Sequence, residues 1–328
     1  MIIHFIIYIF TYVLSIMCYV FLSKKYNNFD IPSSRSSHVI NTVTGGGFIF
    51  PISFFLGLLF SGDFIYYRSI LSGLILISVV SFSDDLKSIH PFIRVIVQVI
   101  AVSLLLWQTG GLFKMKPWQV VPGFILVVGI VNSFNFMDGI NGMNVLYSAS
   151  VLIILWCLKA SGILILPDNA VFLSLFSSII AFAFFNVRKK AICFSGDVGS
   201  ISMAYIISLM IIQVMIANDS GQWILLVGIY GLDSVGTIVL RVIRKERLWM
   251  PHRTHFYQFL VNEKGYPHVL VSFIYAFLQF LLSLILWQLG FIYALIFFIS
   301  LIIFYVCARI KLEGKNRLFS TYFTQTTE

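Results

Sequence analysis

Four aspartates carry most of the chemical information in this sequence: Asp84, Asp85, Asp138 and Asp197. Each lies at the end of a hydrophobic stretch, in a chain of 328 residues that is 59% hydrophobic and 11% charged. An ionised carboxylate near a bilayer is energetically costly, so acidic residues in such places mark candidate functional sites. Carboxylates surrounded by basic residues indicate a site for a divalent metal ion and phosphate groups.

Asp84 and Asp85 are adjacent, and Lys87 follows them closely. Two neighbouring carboxylates repel each other, so both stay ionised only beside a cation such as Mg²⁺ or a lysine. One of them can instead have a raised pKa and act as a base. A polar turn with an aspartate at a helix N-cap explains the pair without any function.

Asn132, Asn135 and Asp138 recur every three residues, which places them along one face of a helix. Gly139 and Gly142 follow, and glycines let the backbone approach a ligand closely. This stripe predicts contacts with a nucleotide or a sugar. A glycine-capped helix end explains the glycines but not the three polar side chains.

Asp197 lies between Gly196 and Gly199 at the start of another hydrophobic stretch. The free N–H groups of a helix N-terminus can bind phosphate, and the carboxylate can bind a metal ion. The basic triplet at 188–190 could hold phosphate too, but the excess of basic residues on the inner side of membranes explains it more simply.

Two further segments carry weaker signals. Arg241 and Arg244 are one helical turn apart and could grip a phosphate, and His255 could donate a proton or a hydrogen bond to one. A basic loop alone is usually a membrane-surface anchor. The run Gly45–Gly47 could cradle phosphates at a helix start, although a flexible hinge explains it equally.

The elements that must position these residues are transmembrane helices, because the mean hydropathy of +0.95 is typical of a polytopic membrane protein. We expect one all-α membrane domain over residues 1–328, without zinc or disulfides, since the four cysteines are scattered. The first apolar stretch, Ile2 to Leu22, lacks a basic start, which predicts a retained helix rather than a signal peptide. Eleven apolar windows predict the spans 2–22, 46–60, 68–82, 92–108, 118–134, 145–166, 170–185, 200–217, 223–240, 268–288 and 290–308.

Basic residues predict the orientation of these spans. With the N-terminus outside, eighteen of the 22 lysines and arginines fall on the cytoplasmic side, as the positive-inside rule requires. The four aspartates and the Gly45–Gly47 run then lie in cytoplasmic segments, and the C-terminus is cytoplasmic as well.

Together and in this order, five segments resemble the polyprenyl-phosphate N-acetylhexosamine-1-phosphate transferases, the MraY/WecA-like family within glycosyltransferase family 4. The match extends from about residue 30 to residue 260. The segments are Arg35 to His38 with Gly45–Gly47, Asp84-Asp85 with Lys87, Asn132 to Gly142, Asn186 with Phe194 to Ser200, and Arg253 to His255.

The resemblance implies ten or eleven helices in a bacterial inner membrane and a cytoplasmic site for Mg²⁺, for which Mn²⁺ could substitute. The implied reaction joins the sugar phosphate of a UDP-N-acetyl amino sugar to undecaprenyl phosphate and releases UMP. It involves no nucleic acid and is compatible with a homodimer.

On this resemblance, Asp197 is expected to hold the metal ion, together with Asp84 or Asp85. Asp84 and Asp85 are also the candidate catalytic acids, with Lys87 and His255 stabilising phosphate charge. The expected substrate-binding residues are Arg35, His38, Gly46, Gly47, Asn132, Asn135, Asp138, Asn141, Asn186, Arg241, Arg244, His252 and Arg253.

Some residues depart from the usual family pattern. The loop His255-Phe-Tyr-Gln258 stands where a His-x-His-His motif is usual in the peptidoglycan branch. With Asp233 and Thr237, it looks more like the branch that initiates O-antigen or capsule polymers. Asn186 is about one residue further from Asp197 than is usual.

Two other classes remain for comparison. A transporter also has many spans, but it more often places its acids mid-span at broken helices than at one membrane face. A CDP-alcohol phosphatidyltransferase also uses Asp-Gly motifs, but its motif continues with Ala-Arg, whereas Asp138-Gly139 is followed by Ile-Asn-Gly.

Overall fold

The computed structural model describes residues 2–32, 37, 40–114, 116–165, 167–248, 250 and 252–319. Its regular elements are helices, so the expected all-α polytopic fold is confirmed. They are α1 Ile2–Lys25, α2 Ile49–Ser61, α3 Arg68–Leu86, α4 Pro91–Gln108, α5 Gly111–Lys114, α6 Pro117–Met137, α7 Met143–Ala160, α8 Asn169–Asn186, α9 Gly196–Ala217, α10 Gly228–Ile243, α11 Phe256–Asn262, α12 His268–Gln288, α13 Phe291–Glu313 and α14 Lys315–Phe319. Short 3₁₀ helices, Gly46–Phe48 and Gly221–Val227, lead into α2 and α10.

Ten helices in the described ranges are long and apolar enough to cross a membrane. The remaining predicted window, 46–60, corresponds to the shorter apolar helix Gly46–Ser61. The helix predicted for 68–82 continues to Leu86, so Asp84 and Asp85 lie in its last turn rather than in the loop.

The central helix of the bundle is α9, which packs against α2, α3, α6 and α7. In the most apolar segment of α9, 78% of the residues are buried. The corresponding share for α13 is 17%, so α13 lies at the periphery. The side chains that α1 and α13 expose are mostly apolar, as expected for helices that face lipid. Helix α9 begins at Gly196, and its first turn lies beside the ends of α3 and α6.

The glycine run docks against the start of α9. Gly46 N–H donates to the Phe194 carbonyl and Gly47 N–H to the Ser195 carbonyl, each at 2.9 Å. A Cβ added at Gly47 would lie 2.3 Å from the Gly199 Cα, so only glycine permits this approach. The amides of Gly46 and Gly47 therefore hold the loop before α9, and their predicted contact with phosphate stays a prediction.

Candidate active site

A cavity of about 380 Å³ lies where α3 and α6 end and α9 begins. Its volume falls within the range of small-molecule sites. Its described lining includes Asp30, Asp85, Asp138 and Asp197 but no lysine or arginine. The other lining residues are Phe29, Ser37, Thr44, Asn135, Gly139, Ile140, Asn141, Asn186, Phe194, Ser195, Gly196, Ser200, Gln258 and His268.

The carboxylate of Asp197 has a different partner on each oxygen. Asn135 Nδ2 on α6 donates to Oδ1 at 2.7 Å, and Arg94 Nη2 on α4 donates to Oδ2 at 2.9 Å. Arg94 Nη1 also lies 2.7 Å from Asp84 Oδ2. One guanidinium thus links the carboxylates of Asp84 and Asp197.

Asp85 contacts backbone rather than a cation. Its two oxygens accept hydrogen bonds from the amides of Asp197 and Val198, at 2.8 and 3.1 Å. Gly196 makes this contact possible, because its φ is +70° and a Cβ there would lie 2.5 Å from Asp85 Oδ2. Asp85 therefore caps the N-terminus of α9 from another helix.

Asp138 ends α6 and accepts a short hydrogen bond from the Ser195 hydroxyl. The pKa of Asp138 is raised well above its ordinary value, mainly because burial disfavours the charged form. The nearby charges of Asp197 and Asp85 raise it further, although the Ser195 hydrogen bond lowers it. A bound cation would favour the ionised form of this carboxyl group instead.

The cavity offers the ligands that Mg²⁺ prefers, which are carboxylate, amide and hydroxyl oxygens. No three histidine, cysteine, aspartate or glutamate side chains in the described ranges are placed to hold a metal ion as they stand. Carboxylates from α3, α6 and α9 nevertheless line one cavity whose described walls carry no lysine or arginine. The donor set therefore fits the expected magnesium ion.

Asn141 and Asn186 line the cavity and also tie its walls together. Asn186 Oδ1 accepts from the Gly142 amide at 2.7 Å, and Asn186 Nδ2 donates to the Cys193 carbonyl at 3.0 Å. Asn141 Nδ2 donates to the Arg188 carbonyl at 2.8 Å. Despite its unusual spacing, Asn186 is thus built into the site, where it holds the turn between α6 and α7.

Asn132 and Lys87 are not among the residues that line the cavity. Asn132 Nδ2 donates to the Val128 carbonyl at 2.8 Å and faces Gln98 on α4. Lys87 is exposed at the end of α3. The predicted roles of both residues stay predictions.

The two arginines at the end of α10 hold their own loop. Arg241 is 3% exposed, and its guanidinium pairs with Glu246 and donates to the carbonyls of Arg247, Leu248 and Met250. Arg244 Nε lies 2.7 Å from Glu246 Oε1. The structure therefore gives Arg241 a loop-bracing role, and the predicted contact of both arginines with phosphate stays a prediction.

His255 is also buried away from the cavity lining, with its Nδ1 3.7 Å from Asp233 Oδ1 on α10. Asp233 accepts hydrogen bonds from the amides of Phe256 and Tyr257 and from the Tyr275 and Tyr305 hydroxyls. This buried carboxylate fixes the start of α11. The same helix brings Gln258 to the cavity.

His252 and Arg253 precede α11. Burial, with the nearby charges of His255, Arg241 and Arg244, lowers the pKa of His252 to about 3. Its ring therefore stays neutral at neutral pH and could contact a phosphate only as a neutral hydrogen-bond donor. Arg253 is exposed. Arg35 and His38 lie outside the described residues.

Four residues of this region were not among the predicted site residues: Arg94, Ser195, Gln258 and His268. His268 Nδ1 accepts from the Asn141 amide at 3.3 Å, and Gln258 Oε1 accepts from the His255 amide at 3.4 Å. The position of Arg94 could have been inferred from the proline that precedes it in the sequence. Pro91 is favoured in the first turn of a helix, which puts Arg94 near the end of α3.

Comparison with known proteins shows which enzymes this chain is similar to. The model of glycosyl transferase family 4 matches residues 67–215. A probable undecaprenyl-phosphate N-acetylglucosaminyl 1-phosphate transferase of Bacillus subtilis (strain 168) is 26% identical over 308 residues, which cover 87% of this chain and 84% of the relative. The resemblance to the MraY/WecA-like family is confirmed.

Two phospho-N-acetylmuramoyl-pentapeptide-transferases match a smaller part of this chain. The protein of Thermotoga neapolitana is 28% identical over 180 residues, and that of Thermotoga maritima 26% over 181 residues. Each match covers 49% of this chain and 57% of the relative. The region matched by the family model contains Asp84, Arg94, Asp138 and Asp197, but it ends before α10.

Proposed function

We propose that this protein transfers an N-acetylhexosamine-1-phosphate from a UDP-sugar to undecaprenyl phosphate and releases UMP. The observation that carries the proposal is the acid-lined cavity at the shared end of α3, α6 and α9. The similarity to the sugar-phosphate transferases of Bacillus and Thermotoga supports the proposal. The proposed pathway is the initiation of O-antigen, capsule or another cell-envelope polysaccharide.

The proposed location is the bacterial inner membrane, with the cavity facing the cytoplasm. The distribution of lysines and arginines along the sequence supports this orientation. A cavity at the membrane face suits the two substrates, because the sugar nucleotide comes from water and the acceptor comes from the bilayer.

A diphosphate would be repelled by the carboxylates of Asp85, Asp138 and Asp197 unless a cation lay between them. We propose Mg²⁺, with Mn²⁺ able to replace it, held by Asp197 together with Asp84 or Asp85 and aided by neighbouring oxygens of the cavity. When bound, the ion would supply charge neutralisation at the transferred phosphate.

The side chains of this protein would then align the reactants, which is the main task in phosphoryl transfer. An oxygen of the lipid phosphate forms a bond to the sugar-linked phosphorus, while the bond from that phosphorus to the UMP oxygen breaks. Asp84, near the end of α3, would orient the lipid phosphate or accept its proton. Asn135, Asp138 and Asn141 would contact the nucleotide sugar, and Lys87 and His255 would stabilise phosphate charge.

The test incubates membranes containing the protein with undecaprenyl phosphate and a panel of UDP-N-acetyl sugars. We expect a lipid diphospho-sugar of defined mass, with UMP released in equal amount. Asp197→Asn should abolish product formation, whereas Asp219→Asn, at an exposed residue with φ +44° that asparagine tolerates, should not.

The outcome also separates this function from transport. Full UMP release by folded Asp197→Asn would contradict the assignment of this carboxylate. Exchange of a sugar nucleotide across proteoliposomes without any lipid product would favour a transporter. In the structure the mid-span Asp233 accepts four or more hydrogen bonds within the protein, which does not resemble an acid on a transport path.

A further inference from the structure

The guanidinium of Arg94 joins two of the four site aspartates. Its Nη1 lies 2.7 Å from Asp84 Oδ2, and its Nη2 lies 2.9 Å from Asp197 Oδ2. The two other carboxylates are held by uncharged donors. Asp85 accepts from backbone amides of α9, and Asp138 accepts from the Ser195 hydroxyl.

Both oxygens of the Asp197 carboxylate are in use, since Asn135 donates to Oδ1 and Arg94 to Oδ2. A divalent cation on this carboxylate would lie within a few ångströms of the Arg94 guanidinium. Two positive charges that close repel each other strongly in a partly buried site. The neutral amide of Asn135 carries no such conflict, so Arg94 is the partner that must move.

Arg94 is also able to move. Its side chain is 30% exposed, and it lies near the start of α4, where a long and flexible side chain can turn toward solvent. The cavity beside it has no lysine or arginine in its described lining, so the walls present no other guanidinium or ammonium group to a phosphate. Planar guanidinium groups bind phosphate through two parallel hydrogen bonds.

We propose that Arg94 is an exchangeable counter-ion of this site. Without metal it neutralises Asp84 and Asp197, and a divalent cation displaces it from Asp197. The released guanidinium then binds a phosphate of the substrates. The inference rests on the proposed function, since it assumes that the cavity holds a divalent ion. It concerns Arg94, which is not among the site residues predicted from the sequence motifs.

The exchange has a consequence that can be measured without turnover. Arg94→Gln keeps a polar side chain but removes the competing charge, so the variant should bind the divalent ion at least about tenfold more tightly than the unmodified protein. Arg94→Lys keeps the charge but cannot bridge two carboxylates with two nitrogens. Its affinity for the ion should therefore lie between the other two.

The experiment uses the full chain in detergent and measures binding of Mn²⁺ from the loss of the free-ion electron paramagnetic resonance signal. Unfolding temperatures with and without Mn²⁺ provide a second readout. Arg94→Gln should unfold at a lower temperature than the unmodified protein without metal, because Asp84 and Asp197 then repel each other. Added Mn²⁺ should remove most of that difference.

A second binding assay follows UMP in the presence of saturating Mn²⁺. Arg94→Gln should bind UMP at least about tenfold more weakly, although it binds the ion more tightly. These opposite changes are not expected from a residue that only stabilises the fold. Asp219→Asn serves as the matched control and should change neither affinity.

The results separate this inference from the function on which it rests. If the unmodified protein binds Mn²⁺ and Arg94→Gln binds it equally or more weakly, the counter-ion role is wrong and the proposed metal site stands. If neither protein binds Mn²⁺, the metal site itself is wrong, and the inference is lost with it. Should Arg94→Gln fail to fold, the affinity of Arg94→Lys decides, and a value no tighter than that of the unmodified protein overturns the proposal.

Discussion

Asp85 holds the backbone of Asp197, because Asp85 Oδ1 accepts a hydrogen bond from the Asp197 amide at 2.8 Å. Asp85 Oδ2 accepts a second one from the Val198 amide at 3.1 Å. The first N–H groups of a helix lack partners within that helix, so a carboxylate from α3 satisfies two of them in α9. The side chain of one site aspartate therefore fixes the position of the other.

Replacing Asp85 measures how much its two hydrogen bonds to α9 contribute to stability. Asp85→Ala should leave two amides of α9 without partners, which costs about 1–3 kcal/mol for each group that stays buried and unpaired. Asp85→Asn keeps one acceptor oxygen and should lose less stability. We expect the unfolding temperature in detergent to fall in the order unmodified, Asn, Ala.

The control is Asp63→Ala, in the connection between α2 and α3 on the opposite side of the bundle from the cavity. It should leave the unfolding temperature nearly unchanged. If Asp85→Ala is as stable as Asp63→Ala, Asp85 is not an important cap, and its carboxylate is free for a direct chemical role.

Gly196 should tolerate no side chain. Its φ of +70° disfavours other residues, and a Cβ would lie 2.5 Å from Asp85 Oδ2 and 2.8 Å from the Gly45 amide nitrogen. Gly196→Ala should therefore destabilise the protein by more than about 1 kcal/mol and abolish product formation. Unfolding temperature and lipid product are the two measurements.

Gly221 offers a matched comparison, since a Cβ there meets no atom within 4 Å and its φ is not positive. Gly221→Ala should retain both stability and activity. Equal behaviour of the two variants would show that the contact between α3 and α9 relaxes without cost.

Asp233 should position α11 without contacting substrate. Its carboxylate caps α11 and accepts from two tyrosine hydroxyls, while Arg309 Nη1 donates to Tyr305 OH at 2.8 Å. Asp233→Asn replaces an acceptor oxygen by a donor among buried donors, which should cost about 3–5 kcal/mol. Unfolding temperature should fall strongly.

Tyr305→Phe removes a single donor from the same carboxylate and should cost about 1 kcal/mol. If this variant retains activity while Asp233→Asn loses both folding and activity, the network supports α11 as a unit. A stable Asp233→Asn with normal activity would contradict the positioning role.

The sequence predicted the helices well because the bilayer itself sets their length and hydropathy. It also placed Asp138 and Asp197 correctly at helix ends, since polar residues mark where apolar windows stop. What it could not show are contacts between distant segments. Asp85 and Val198 are 113 residues apart along the chain, and nothing near Asp85 indicates that its oxygens face amides of α9.

The basic loop after α10 shows that residue spacing alone does not reveal what a basic side chain binds. Arg241 and Arg244 have the spacing expected of a phosphate site, but Glu246 and nearby carbonyls occupy the Arg241 guanidinium. A charged side chain at a helix end binds whichever acceptors its own loop presents, and the conformation of that loop is not visible in residue spacing. Arg94 was overlooked because its partners lie in α3 and α9.

His252 should make stability depend on pH. Its folded-state pKa is lowered to about 3, whereas the unfolded chain has an ordinary histidine value of about 6.5. Below about pH 6.5 the unfolded state binds a proton that the folded state refuses, so the free energy of unfolding should decrease as the pH falls toward 3. Thermal unfolding at a series of pH values from about 7.5 to about 5 measures this slope.

His252→Gln removes the titrating ring while keeping a polar side chain beside Thr254, whose hydroxyl lies 3.1 Å from His252 Nδ1. The variant should lose less stability than the unmodified protein over the same fall in pH. The matched control is His90→Gln, since His90 is exposed at the start of α4. Parallel pH curves for the unmodified protein and His252→Gln would mean that the ring is not buried as the structure places it.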